Sequence, residues 1–278
     1  MRALKTTLLL TSLTLLLLFV GQAFGGRNGL TTALMFAVIM NGAAYFFSDK
    51  IALMSSGAVP ISREQAPRLY AVMERLASKA NLPMPRLYLI PQPAPNAFAT
   101  GRNPSHASVA VTEGLLQLMD DEELEGVIAH ELSHVRNYDI LTSSIAATIA
   151  GAITFLARMG FWFGGDDRDR EGGAIGALLM LILAPLAAML LQLGISRQRE
   201  YQADASGAQM VGHQYGLVRA LEKLGAYNKQ IPMDIAPSTS ALCIVAPKTA
   251  GEFVASLFST HPPLADRIAR LQQMTITR

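Results

Sequence analysis

Runs of uncharged, apolar residues limit what this chain can fold into more than any other feature of its sequence. The four runs extend over residues 6–26, 28–48, 140–163 and 172–196, and one charge, Arg158, interrupts the third. A helix needs about 20 mostly apolar residues to cross the roughly 30 Å hydrocarbon core of a membrane. The runs therefore predict four transmembrane helices, arranged as two hairpins.

The composition agrees with an integral membrane protein. Hydrophobic residues make up 51% of the chain. Charged residues make up only 16%, whereas about 25% is typical of soluble domains. The net charge of +2 is too small to indicate a nucleic-acid partner. The single cysteine, Cys243, cannot form an internal disulfide, so nothing requires an oxidising compartment.

The predicted hairpins, residues 1–48 and residues 140–196, each return the chain to the side of the membrane that it left. Residues 49–139 and 197–278 therefore share one face with the N-terminus. Most basic residues near the spans lie on that face, which the positive-inside rule assigns to the cytoplasm. A cleaved signal peptide is an alternative for the first run, because Arg2 precedes a leucine-rich core.

The polar segments have patterns typical of a mainly α domain with a small β-sheet, an α+β fold. Apolar spacing predicts helices over residues 63–79, from 115 onward, and over 197–211, 215–226 and 263–274. Short strands are expected over residues 86–90 and 108–112. Residues 228–251 are rich in Pro, Ser and Thr, which favours a loop or lid.

His130, Glu131 and His134 form a zincin-like H-E-x-x-H motif, whose chemistry depends on a helix. Residues four apart lie on one face of a helix, so both imidazoles can bind one metal ion. Glu131 lies beside them, where it can take a proton from a water molecule next to the metal. Asp120 and Glu123 have the capping-box spacing that begins such a helix.

A catalytic zinc site needs a third protein ligand and one open position. Glu200 is the best candidate for that ligand. Asp204 follows it by four residues on the same predicted helix, where it could accept the outer N–H of a ligand histidine. Imidazoles with a carboxylate favour zinc over magnesium or calcium. We therefore expect one Zn²⁺ per chain, bound by His130, His134 and Glu200.

Two further residues have alternative roles. Either His261 or Arg267 could hydrogen-bond the oxyanion of a tetrahedral intermediate. In the other interpretation, His261 satisfies the start of the last helix and Arg267 forms a structural ion pair. The residues alone leave both interpretations open.

Together these motifs resemble the HtpX family of membrane zinc metalloproteases, which are relatives of the eukaryotic CAAX prenyl proteases. The resemblance depends on the four apolar runs and on the stretches HELSH at 130–134, EYQAD at 200–204, FSTHPP at 258–263 and NAFATG at 96–101. It implies that His130, His134 and Glu200 bind zinc and that Glu131 is the catalytic base.

The resemblance also implies how the protease meets its substrate. Residues 96–101 would be an edge strand along which the substrate lies extended; the substrate-binding residues are Asn96, Ala97, Phe98 and Ala99. An extended backbone offers hydrogen bonds without demanding a particular sequence. The implied location is a bacterial inner membrane, with the catalytic domain and the N-terminus in the cytoplasm.

We therefore expect a membrane-bound zinc metalloendopeptidase that hydrolyses misfolded or damaged membrane proteins in quality control and stress response. Its partners would be the lipid bilayer and polypeptide substrates, without nucleic acid. One alternative is a non-catalytic membrane adaptor with a structural zinc site, which would need a fourth ligand. Another is a prenyl-protein processing protease, for which four spans leave no large chamber inside the membrane.

Overall fold

A computed structural model describes most of the chain as helix with a small mixed sheet. It describes residues 2–163, 196–227, 239, 241–245 and 262–276. The predicted fourth apolar run lies outside these residues except for Ser196, and His261 lies outside them as well.

The helices and strands predicted for the described residues are present, and Val59–Pro60 is an additional strand that the sequence analysis did not predict. The helices are α1 (Arg2–Ser55), α2 (Pro67–Lys79), α3 (Glu113–Leu118), α4 (Asp121–Arg136), α5 (Asp139–Phe163), α6 (Arg197–Val211), α7 (Tyr215–Tyr227) and α8 (Leu264–Gln272). The strands are β1 (Val59–Pro60), β2 (Arg86–Ile90), β3 (Ala97–Gly101) and β4 (Ala107–Thr112). Helix α2 begins later than predicted, because proline favours the first helical turn and disfavours helical backbone in the residue before it.

Helix α1 is a hairpin of two arms. Gly26 has a φ of 54° and a ψ of −138°, which lie outside the helical region. Across the bend, Asn41 Nδ2 donates a hydrogen bond to Thr14 Oγ1 at 2.8 Å. The arms approach so closely that a Cβ on Gly29 would lie 2.1 Å from the carbonyl oxygen of Gly21. The glycine-rich turn between the first two apolar runs therefore folds the chain back on itself.

The described residues contain one helix long and apolar enough to cross a membrane. This candidate span is Gly26–Ser55, the second arm of α1. The apolar stretches Thr6–Phe19 and Asp139–Ile153 are shorter than a full span. Side chains of α1 and α5 pack together in an apolar cluster that includes Leu9 and Ile145. The four-span topology stays a prediction.

The sheet has the strand order β1-β2-β4-β3. Strand β2 pairs with β4 in parallel, while β1 pairs with β2 and β3 pairs with β4 in antiparallel orientation. Strand β3 therefore lies at one edge of the sheet. All five of its residues are buried, because α4 and α5 pack beside it.

Helix α4 lies at the centre of the polar domain, in contact with α2, α6, α7 and β3. Its capping box forms as predicted, with Asp120 and Glu123 each accepting the other's backbone N–H at 2.9 Å. The predicted apolar stripe of α4, including Leu124 and Ile128, is completely buried. Gly207 of α6 meets this helix so closely that a Cβ there would lie 3.0 Å from the backbone nitrogen of His130. The small residue lets the two helices bring their polar side chains together.

Candidate metal centre

Helix α4 presents its two histidines to the same side. The Nε2 atoms of His130 and His134 lie 3.3 Å apart. His130 is almost completely buried, and the side chain of His134 is 15% exposed. The spacing of four residues on a regular helix therefore produces the paired imidazoles that the sequence predicts.

Glu200 in the first turn of α6 completes a cluster of three ligand groups. Its Oε1 lies 3.4 Å from His134 Nε2, and its Oε2 lies 3.7 Å from His130 Nε2. One ligand atom from each residue lies within 4.8 Å of the others. Two atoms bound tetrahedrally to one zinc at about 2.1 Å are separated by about 3.4 Å. The donor types and their spacing therefore fit one metal ion.

The outer nitrogen of His130 faces Asp204. His130 Nδ1 lies 2.9 Å from Asp204 Oδ1, and the carboxylate also accepts hydrogen bonds from Arg267 Nε at 2.8 Å and Nη2 at 2.6 Å. All three side chains are almost completely buried. Arg267 Nη1 in addition donates to the carbonyl oxygen of Ile244 at 2.7 Å. Arg267 therefore forms the structural ion pair that was one of its two predicted roles.

The electrostatics of this buried group favour charged side chains. Burial lowers the pKa of His130, but hydrogen bonds to Asp204 and Glu200 outweigh it and raise the pKa to about 9. Burial raises the pKa of Asp204, but Arg267 more than compensates and holds it at about 2. A metal ion bound to His130 would compete with this proton, since only neutral imidazole binds metal.

Glu131 connects the motif to the sheet. Its carboxylate is buried and accepts a hydrogen bond from the backbone of Ala99 in β3. Burial raises the pKa of Glu131, and the neighbouring histidines only partly oppose this shift. A carboxylate with a raised pKa is a better proton acceptor near neutral pH than an ordinary one.

A short segment, residues 241–245, covers β3 next to this site. The N–H of Ile244 donates to the carbonyl oxygen of Ala97 at 2.9 Å. The side-chain amide of Asn96 donates to the Val245 carbonyl at 2.8 Å, and its oxygen accepts the Val245 N–H at 3.5 Å. The segment belongs to the predicted loop or lid at residues 228–251, most of which lies outside the described part of the chain.

The space left beside the ligands is small. Ala99, Ile140, Ala241 and Leu242 are among the residues that enclose it, together with Glu131, His134 and Glu200. Its volume is about 20 Å³, which is enough for about one water molecule. Among the described residues, the space beside Glu131, His134 and Glu200 therefore leaves little room for a substrate.

The sequence analysis missed two residues at this site. Asp139 Oδ2 lies 3.4 Å from His134 Nδ1, and Asp139 Oδ1 lies 3.2 Å from Arg199 Nη1. The one feature of the sequence that could have indicated Asp139 is its position five residues after His134. Helical periodicity does not place it, because α4 ends at Arg136 and Tyr138 has a left-handed φ of 59°.

Comparison with known proteins decides the family. Residues 62–275 match the family described as Peptidase family M48. The chain belongs to peptidase family M48. A protease HtpX homolog of Desulfatibacillum aliphaticivorans is 58% identical over 273 residues, which span 96% of this chain and 88% of that protein. The corresponding homolog of Syntrophobacter fumaroxidans is 52% identical over 278 residues, spanning 97% and 98%.

The fold is also similar to that of a solved structure, Ste24p of S. mikatae. The TM-score is 0.50 at 20% sequence identity, and the match covers 98% of this chain and 63% of that chain. The resemblance to HtpX proteases is thereby confirmed by the relatives, and the solved structure shows a similar fold. This M48 peptidase is a membrane metalloprotease, and His130, His134 and Glu200 are a group that could bind its metal.

Proposed function

We propose that this M48 peptidase is a zinc-dependent endopeptidase that cleaves misfolded or damaged membrane proteins at the cytoplasmic face of a bacterial inner membrane. The convergence of His130, His134 and Glu200 around a buried Glu131 carries the proposal. This combination supplies ligands and a base within one small pocket.

The donor set supports zinc as the metal. Two imidazoles and one carboxylate favour zinc over the harder cations. His130, His134 and Glu200 would hold the ion, and three protein ligands leave a coordination position for catalysis. When bound, zinc polarises a peptide carbonyl and lowers the pKa of water.

Side chains of the protein would supply the proton transfer and the stabilisation of the oxyanion. Glu131 takes a proton from the attacking water and later delivers it to the leaving amine. His261 is a candidate donor to the oxyanion. Arg267 was the other candidate, but its described contacts support a different role, that of holding Asp204 against His130. Orientation of a ligand histidine by a carboxylate strengthens metal binding.

Substrate is proposed to lie along the edge of β3. Asn96, Ala97, Phe98 and Ala99 form the substrate-binding edge. The Ala97 carbonyl accepts a backbone N–H from Ile244, which supports pairing with an extended chain at this position. Ala99 lies beside both Glu131 and the pocket. A peptide bound there would pass next to the base.

The position of the candidate span supports action at the membrane surface. The helix that contains the span continues beyond residue 48 to Ser55, whose hydroxyl lies 2.8 Å from that of Thr239, two residues before Ala241 in the pocket wall. We propose transmembrane hairpins over residues 1–48 and 140–196, with the protease domain formed by 49–139 and 197–278. A protease held there meets membrane-protein loops at high effective concentration.

Replacement of Glu131 by glutamine tests the mechanism. We expect the variant to keep about one zinc per chain and to lose on the order of 10²- to 10⁴-fold in cleavage rate, the usual contribution of a general base. Glu125→Gln is a matched control on the same helix, because Glu125 pairs with Arg75 away from the ligands. Cleavage by Glu131→Gln at the control rate would refute the mechanism.

The membrane role needs a separate comparison. One unfolded segment is presented to the purified protease in proteoliposomes, either fused to a membrane anchor or free in solution. We expect the anchored form to be cleaved faster at equal total concentration. Equal rates would refute the proposed preference for membrane proteins without affecting the chemistry.

A further inference from the structure

Each proposed ligand histidine faces an aspartate that is paired with an arginine. For His130 the pair is Asp204 with Arg267. Of these contacts, the sequence predicts the one between Asp204 and a ligand histidine. For His134 the pair is Asp139 with Arg199. The second pair is less buried, with side-chain exposures of 9% and 15%.

We propose that Asp139, held by Arg199, is a positioning residue for His134. This inference depends on the proposed function, in which His134 binds zinc. A carboxylate at Nδ1 accepts the ring N–H, so the other nitrogen, Nε2, presents its lone pair to the metal. Nε2 is the atom that faces Glu200 and His130.

The local backbone explains why Asp139 reaches the histidine. Tyr138, in the left-handed region, interrupts the helical backbone between α4 and α5, and Asp139 is the first residue of α5. Arg199 precedes the ligand Glu200 in α6, so its ion pair joins the start of α5 to the turn that supplies the third ligand. The pair therefore fixes two ligands relative to each other.

Zinc affinity, measured by competition with a chromogenic chelator, tests the role without relying on proteolysis. Asp139→Ala is expected to weaken zinc binding by about 10- to 100-fold. Asp139→Asn keeps an oxygen acceptor for the ring N–H and is expected to lose less. Asp121→Ala is the matched control, because Asp121 forms an exposed carboxylate–arginine pair with Arg68 that touches no histidine.

A second variant covers the case in which Asp139→Ala does not fold. Arg199→Gln keeps Asp139 but removes the ion pair between Arg199 Nη1 and Asp139 Oδ1. We expect zinc binding to weaken several-fold. Zinc affinity within twofold of the wild type in whichever variant folds would overturn the proposal. Failure of the wild type to bind zinc would instead refute the proposed function.

A different observation supports a second inference, which also depends on the proposed function. Among the described strands, β3 pairs with β4 at one edge, and residues 241–245 lie on the other. We infer that this segment occupies the substrate's place and must leave β3 before a peptide can bind. The neighbouring space of about 20 Å³ is far too small for a peptide.

The chain's single cysteine reports directly on this movement. Cys243 lies within the segment and is completely buried. In zinc-loaded Glu131→Gln, saturation with a cysteine-free unfolded polypeptide is expected to accelerate thiol labelling of Cys243 by at least tenfold. Unchanged labelling with bound polypeptide, detected by fluorescence anisotropy, would overturn the inference. Absence of binding would count against both this inference and the proposed function.

A cross-link provides an independent test. Ser55→Cys and Thr239→Cys, in a Cys243→Ser background, place thiols where the two hydroxyls now lie 2.8 Å apart. Oxidation should abolish cleavage and reduction should restore it, while each single variant stays active under both conditions. Full activity of the cross-linked protein would show that the segment need not move.

Discussion

Replacing Arg267 with leucine removes one half of a buried ion pair. Arg267 is completely inaccessible to solvent, and the Asp204 side chain is only 4% exposed. The substitution eliminates two charge-assisted hydrogen bonds, of 2.8 Å and 2.6 Å, and a third bond to the Ile244 carbonyl. Asp204 is then left as a buried charge facing only His130.

Loss of one partner from a buried ion pair costs about 3–5 kcal/mol. We expect Arg267→Leu to lower the free energy of unfolding by this amount in detergent-solubilised, metal-free protein. Denaturant titration followed by circular dichroism measures the change. Zinc affinity should fall as well, because Asp204 would no longer be held at His130 Nδ1.

Arg270→Leu is the matched control on the same helix. Arg270 is exposed and stacks over the ring of Tyr201 at 3.8 Å, so we expect a loss of about 0.5–1 kcal/mol. If Arg267→Leu destabilises the protein no more than this control, the ion-pair argument is wrong. If it keeps its stability and zinc but loses only kcat, Arg267 acts on the oxyanion instead.

Three further predictions concern the helices and the metal. Asp120→Ala should destabilise the protein by about 1 kcal/mol through loss of the α4 cap. The hydrogen bond from the Glu123 N–H lowers the pKa of Asp120 in the folded protein. The stability that the cap contributes is therefore present above the pKa of an unfolded aspartate and is lost as the pH falls through the lowered pKa of Asp120. Acid titration of the wild type and of Asp120→Ala would detect this difference. Gly207→Leu should push α6 away from His130 and cost about 1–3 kcal/mol, with weaker zinc binding, whereas Gly42→Ala, with nothing within 4 Å of the new Cβ, serves as control. Removal of zinc by a chelator should lower the unfolding free energy by about 2.7 kcal/mol relative to protein at 100 times the zinc Kd; identical unfolding curves would contradict metal binding to the folded state.

The features that the sequence predicts well are local ones. The capping box of α4 and the bounds of α6, residues 197–211, depend on neighbours within about one helical turn. The shared face of His130 and His134 follows from their spacing of four residues. The edge position of β3 came from the family resemblance, and the sheet confirms that position.

The roles of Arg267, Asp139 and residues 241–245 depend on tertiary structure. Arg267 joins Asp204 across 63 positions in the chain, and Ile244 pairs with Ala97, far earlier in the sequence. No periodicity relates such positions, because their proximity results from how α4, α6, α8 and β3 pack. The sequence by itself determined which groups are candidates for metal binding and proton transfer and on which helices they lie. Only packing decided that Asp204 faces His130, that Asp139 faces His134 and that residues 241–245 cover β3, since these contacts form between elements that no local rule connects.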